Sequence, residues 1–508
     1  MAPGFEVAAW SGFYVAVFTL IQILVHGSGD LVNDTLEAFA WGQQLQLGYF
    51  KHPPFWAWVA YGWFSIFPTE DWAAYLLASV NAAIGLACTW CIGRRFLSAE
   101  RATGAMLCLM LTATYVCLAQ RFNANTILIS LWPATALAVL RGIERNRLVD
   151  GALAGLLATF SLLSKYTSAL FLLELFAFVY FMKGSARVSV SRGALVCYAV
   201  ALLALMPHLV WLERNDYLPF HYMQITTARP WSVALQESVV FIFSSAGFVG
   251  IAVLAYFWAS GAPIRRLPAV LASGFRGRRG TVAILVFGVE LLTIASCLVR
   301  SSTLKPIYAI PMYFMVPIWV AMASELPFDA VALRRLRRLV GAIFLLYLAA
   351  SPIAGFVMAK LDTRLATRPK DEVTAAVTQE WHRRYHRPLR IVGGDKDYAI
   401  AVPFYSADHP SYLIGFDVRE LEEGGMPMSH GPADFSPRLS PWIDMAAMRQ
   451  DGLAIICADE WATTTQCKNE ATQWLGAKGV EFELPATETD FVIGEPTYKF
   501  HIFFLPPG

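Results

Sequence analysis

Charge is scarce in this chain: of its 508 residues only 15% are Asp, Glu, Lys or Arg, and 40 basic side chains nearly balance 38 acidic ones. So little charge leaves too few ionic groups for a soluble surface of this size, and a formal net charge of +2 excludes the broad basic face by which proteins hold nucleic acid. Nucleotide signatures are lacking as well. There is no Walker-type glycine loop, and Gly393-Gly394, which follows an apolar run, lacks the spacing of a dinucleotide fingerprint. No His, Cys and carboxylate cluster has the spacing of a metal site, although Asp30, Asp34, His52 and His221 could be gathered by folding; no metal or other cofactor is expected. The apolar stretch from Gly12 to Val25 has no basic segment before it and no Ala-x-Ala before Asp30, so a retained first helix is expected, not a cleaved leader. No internal repeat of the kind that builds secondary transporters is visible.

What is abundant is apolar sequence. Hydrophobic residues make up 56% of the chain and aromatic residues 14%. Apolar stretches long enough to span a hydrocarbon core, about 17–25 residues, recur to about Lys360 and then stop. Eleven spans are expected, near 12–26, 72–93, 102–119, 124–140, 151–163, 168–183, 194–212, 234–259, 281–299, 307–323 and 339–359. Basic clusters follow every second one, among them Arg94 and Arg95, Arg141 and Arg145, Arg276 to Arg279, and Arg334 to Arg338. Loops rich in Lys and Arg stay in the cytoplasm. The alternate loops and the C-terminal segment therefore lie outside.

Two domains are expected: a transmembrane domain over 1–360 that includes an outer loop at 27–71, and a small periplasmic α/β domain over 361–508. The latter is read from short β-rich runs such as LRIVGG, LAIICAD and KFHIFFLP. The outer loop carries Trp41, Phe50, Trp56, Trp58, Trp63 and Phe64, which predicts amphipathic helices lying in the membrane interface. Cys457 and Cys467 share the outer domain, where disulfides persist, and are expected to pair. Cys88 and Cys91 sit inside an apolar helix and read as packing residues.

Within the outer loop, NDTLEAFAWGQQLQLGYFKHPPFWAWV places Asp34 one short helix before Gly48, Tyr49, Lys51, His52, Pro53 and Pro54. This string resembles the first outer loop of bacterial GT-C glycosyltransferases related to aminoarabinose transferases and protein O-mannosyltransferases. LLSKYTSALFLL with Lys165, and LKPIYAIPMYFMVP with Lys305 and Tyr308, are similar to further segments of that family. The chain departs from the pattern twice: Thr35 stands where an acid follows the Asp, with Glu37 nearby, and Asn125 stands where relatives carry the Asp of Thr-Pro-Asp.

The resemblance implies an inverting transfer of a monosaccharide from a polyprenyl-phosphate donor to an envelope lipid or glycan such as lipid A or lipopolysaccharide core. It implies a multi-pass protein of the bacterial inner membrane, with its site periplasmic and membrane lipids around it. The residues fit that chemistry: Asp34 can take the proton of an attacking hydroxyl while nearby cations hold the departing phosphate. Asp30 is the alternative base. Tyr49, Lys51, His52, Glu37, Arg121, Lys165, His221, Lys305 and Tyr308 are the candidate substrate contacts. A lipid or sugar transporter is the alternative function, and oligomeric state is left open.

Overall fold

The computed structural model describes residues 3–26, 31–183, 190–324, 328–360, 370–414, 439–458 and 500–508. The described chain is mostly helical. Along the sequence run α1 (Pro3–His26), α2 (Asn33–Gly42), α3 (Phe55–Phe64), α4 (Asp71–Gly93), α5 (Ala99–Met110), α6 (Ala113–Val116), α7 (Leu128–Arg145) and α8 (Leu148–Leu162). Next come α9 (Ser168–Lys183), α10 (Arg192–Arg214), α11 (Leu218–Thr227), α12 (Trp231–Ala259), α13 (Leu267–Gly274), α14 (Gly277–Arg300), α15 (Val316–Ala323) and α16 (Ala330–Lys360). The last part holds α17 (Lys370–Tyr385), β1 (Ile391–Gly394), α18 (Lys396–Ala399), α19 (Val402–Tyr405), β2 (Ser411–Tyr412), α20 (Met445–Asp451), β3 (Leu453–Ala458) and β4 (Phe500–Leu505).

Among the described residues six helices are long and apolar enough to cross a membrane: α1, α4, α10, α12, α14 and α16. A seventh is α5 continued through α6 to Gln120 across a bend of 59°. The remaining expected spans are helical but fall short. The last turns of α7 carry Arg141, Glu144 and Arg145, α8 and α9 have 15 and 16 residues, and α15 has eight after a 3-10 turn at Pro306–Ala309. About 20 apolar residues make a straight crossing, so eleven crossings require counting these shorter pieces. The chain is a multi-span membrane protein, with side chains such as Phe243 and Leu346 over 70% exposed on apolar helices.

Contacts divide the chain into two compact units. The first comprises Met1–Gln22, Tyr75–Asp216 and Thr227–Ser351. Its helices approach closely where small residues allow it: a Cβ on Gly151 of α8 would lie 2.2 Å from the carbonyl oxygen of Gly193 in α10, the small-residue packing that substitutes for hydrophobic drive within lipid. Ion pairs join Arg337 to Glu6 at 2.6 Å and Arg95 to Glu144 at 2.9 Å.

The second unit comprises Ile23–Ala74, Tyr217–Thr226 and Pro352–Gly508. It is discontinuous, whereas the expected division at residue 360 is a single cut. Its sheet has the order β2-β1-β3-β4, with β1 parallel to both neighbours and β4 antiparallel to β3. Leu453, Ile455 and Phe503 form its core with Leu413 and Met448, and Trp381 of α17 packs on Phe504 at 5.7 Å. β1 ends on Gly394, whose φ is +113° and whose Cβ position would fall 2.1 Å from the Ile456 carbonyl oxygen. Only glycine tolerates that combination. Cys457 of β3 is disulfide-bonded; Cys467, its expected partner, lies outside the described residues.

Helices α2 and α3 belong to this second unit and are fastened to its C-terminal part. Lys370 Nζ donates to the Leu31 carbonyl at 2.6 Å, Leu31 N–H to Tyr405 Oη at 3.2 Å, and Gln44 Nε2 to Ser411 Oγ at 3.1 Å. Phe39 packs edge-on against Phe64 and Phe404. Every residue of α2 from Thr35 to Gly42 is buried. The helix expected to present one apolar face is therefore a core helix of its unit, enclosed by protein on both faces.

Candidate active site

The site grows from the first turn of α2. Val32 is the N-cap and gives no side-chain cap, so Asp34 is not the capping residue; it stands in the first turn with its side chain exposed. A carboxylate there is favoured by the helix dipole. Glu37, almost one turn further, points inward and is 3% exposed.

The chain then turns back through Gly48 and Tyr49. The Tyr49 N–H donates to the His52 carbonyl at 3.1 Å, its ring stacks on Trp41 at 4.7 Å, and its hydroxyl donates to the Trp41 carbonyl at 2.6 Å. Burial pushes that phenol upward. Tyr49 is thus a clamp that shapes the turn, with its polar end committed to backbone. His52 meets Trp56 edge-on at 5.8 Å.

The turn delivers Lys51 to Glu37. Their charged atoms are 2.7 Å apart, with side chains 11% and 4% exposed, and Lys51 Nζ lies 5.4 Å from the Trp41 ring centre. Burial alone would lower the Lys51 pKa, but Glu37, Tyr222 and Asp34 outweigh it and hold the ammonium above the usual lysine range. Tyr222 of α11 reaches this cluster through Phe50, ring centres 5.2 Å apart, and burial raises its phenol while Lys51 opposes the rise. His221, beside it, is exposed.

A second lysine arrives from the sheet. At the end of β1, Asp395 N–H donates to the Ile456 carbonyl at 2.7 Å, and the Asp395 carboxylate accepts from Asp397 N–H at 2.9 Å. Asp397 in turn accepts a hydrogen bond from Asn33 Nδ2. Lys396, between these two aspartates, responds most strongly to Lys51, then to burial; together they hold its pKa below the usual lysine range against the opposing pull of Glu37 and Asp34. Sequence reasoning missed Lys396. The signal was present as GGDK after a strand, but it was read only as a failed dinucleotide fingerprint.

The first unit gathers a separate set. Lys165 Nζ donates to Asn125 Oδ1 and sits 4.6 Å from the Tyr308 ring centre, while Tyr166 Oη and His208 Nε2 are 3.1 Å apart. Lys165 and Tyr308 are therefore brought together with Asn125. Arg121 and Lys305 are exposed. Asp30 lies outside the described residues. Among the described residues no three His, Cys, Asp or Glu side chains are arranged to hold a metal ion.

The fold is that of the GT-C membrane glycosyltransferases. The chain superposes on ArnT from Cupriavidus metallidurans, in the apo state and bound to undecaprenyl phosphate, with a TM-score of 0.59 in each case and 14% sequence identity, over at least 98% of both chains. In sequence, residues 51–211 match the family described as dolichyl-phosphate-mannose-protein mannosyltransferase. Two relatives come from Rhizobium johnstonii. Lipid A galacturonosyltransferase RgtD is 27% identical over 260 residues, 49% of this chain and 54% of that protein. Lipopolysaccharide core galacturonosyltransferase RgtA is 25% identical over 209 residues, 40% of this chain and 41% of that one. The chain thus spans about half the length of the curated relatives it matches.

Proposed function

We propose that this protein is an inverting glycosyltransferase that moves a sugar from a polyprenyl-phosphate donor to lipid A or lipopolysaccharide core at the periplasmic face of the bacterial inner membrane. One observation carries the reading: an exposed Asp34 stands in electrostatic reach of a buried ion pair whose cation, Lys51, feels its charge. In the proposed step an acceptor hydroxyl oxygen attacks the anomeric carbon and gives its proton to Asp34. The bond from that carbon to the phosphate oxygen breaks, and its electron pair leaves on the phosphate, which Lys51 stabilises. The rhizobial relatives support galacturonic acid as the sugar.

Purified protein supplied with a polyprenyl-phosphate sugar and lipid A is expected to form glycosylated lipid A, detected by mass spectrometry. Transfer from a nucleotide sugar with no polyprenyl phosphate present would overturn the reading. Orientation is tested separately. A cysteine replacing exposed Arg383 is expected to react with an impermeant reagent added to the periplasmic side, and one replacing exposed Arg334 to stay unlabelled. The opposite pattern would invert the protein in the membrane.

A further inference from the structure

The proposed transfer needs one base and a cation for the phosphate, yet the second unit supplies two lysines from different parts of the chain. Lys51 already holds Glu37 at 2.7 Å. Lys396 is supplied by the turn after β1. β1 is flanked by β2 on one side and β3 on the other, both parallel to it, and ligands of such sheets gather at the carboxyl end of the strand where chain order reverses. Two features fix the turn there: Gly394, where an added Cβ would fall 2.1 Å from the Ile456 carbonyl oxygen, and the hydrogen bond from Asn33, the neighbour of Asp34, to Asp397, the neighbour of Lys396.

We propose, on the basis of the glycosyltransferase reading above, that Lys396 is a donor-binding residue, which with Lys51 receives an oxyanion of the donor beside Asp34. The C-terminal segment thereby contributes a side chain to the site itself. Two ammonium groups held within each other's influence repel, and the charge of Lys51 lowers the Lys396 pKa. An oxyanion between them removes that cost on binding. The anion is either the phosphate of the lipid carrier or the carboxylate of a uronic acid, which share this chemistry.

The test uses the full-length protein in detergent, with undecaprenyl phosphate alone as one probe and a polyprenyl-phosphate galacturonic acid as the other. Loss of one charge-assisted hydrogen bond weakens binding by roughly ten- to a hundredfold. Lys396→Gln is expected to weaken undecaprenyl phosphate by that factor if the anion is phosphate. If the anion is the sugar carboxylate, that affinity stays and KM for the uronosyl donor rises by the same factor. Lys396→Arg keeps the charge and is expected to restore most of the loss. The arginine variant also supplies a readout that does not depend on the glutamine variant folding. Lys396 is faced by Lys51, Glu37 and Asp34 and flanked by Asp395 and Asp397, and its lowered pKa means that wild type loses donor affinity at a lower pH than Lys396→Arg does. Unchanged binding and KM in Lys396→Gln, or coincident pH profiles for wild type and Lys396→Arg, would overturn the proposal. Wild-type protein that binds neither probe would instead sink the glycosyltransferase reading.

Discussion

Asp34→Asn is expected to lower sugar transfer by about 10²–10⁴, the usual loss when a general base is removed, while the protein still inserts, folds and binds undecaprenyl phosphate. Asn keeps the size of the side chain but loses the negative charge and with it the ability to accept a proton. The exposed position of Asp34 in the first turn of α2 is why stability should change little. Asp30→Asn is the informative comparison. If Asp34→Asn transfers sugar at the wild-type rate while Asp30→Asn is dead, the base lies four residues earlier. If both remain active, the catalytic reading fails.

Glu37→Gln is expected to behave quite differently and is no control for Asp34. It leaves the Lys51 ammonium buried without its carboxylate, and breaking a buried pair from one side costs about 3–5 kcal/mol. A marked fall in the thermal midpoint of the purified protein, accompanied by loss of transfer, is the expected result. A midpoint equal to that of Asp34→Asn would show that the pair contributes nothing to the fold. Replacing both partners, Glu37→Gln with Lys51→Met, should recover part of the midpoint because no buried charge remains, but it should recover no transfer. The pH dependence has a fixed sign. Because the folded state holds Lys51 above the ordinary lysine value of 10.5, its stabilising contribution is complete at neutral pH. It declines only as pH rises from that value through the higher folded one.

Much of this was legible in the sequence because membranes impose a coarse and regular grammar. Apolar stretches of spanning length gave every long helix. The GYFKHPP string marked the turn that brings Lys51 to Glu37. Three things were not legible. Helix length depends on where a few charges fall, as in the last turns of α7, so the number of crossings exceeded the helices long enough to make them. The burial of α2 depends on partners more than 300 residues away, such as Lys370 and Ser411, which no local periodicity reports. The placement of Lys396 was hidden for the same reason: it follows from the sheet that carries it, and a four-residue strand ending in two glycines resembles many turns.

The discontinuous second unit has a consequence for biosynthesis. The bonds that hold α2 in place connect it to residues 339 to 374 positions further along the chain, and contacts so remote in sequence form late. Asp34 emerges among the first residues synthesised, but its surroundings wait for the last, since β3 acquires its antiparallel neighbour only when Phe500–Leu505 has been made. The ribosome therefore finishes its work before α2 acquires its final surroundings. A nascent chain halted anywhere within the helical part would hold Asp34 without the lysine that the sheet supplies.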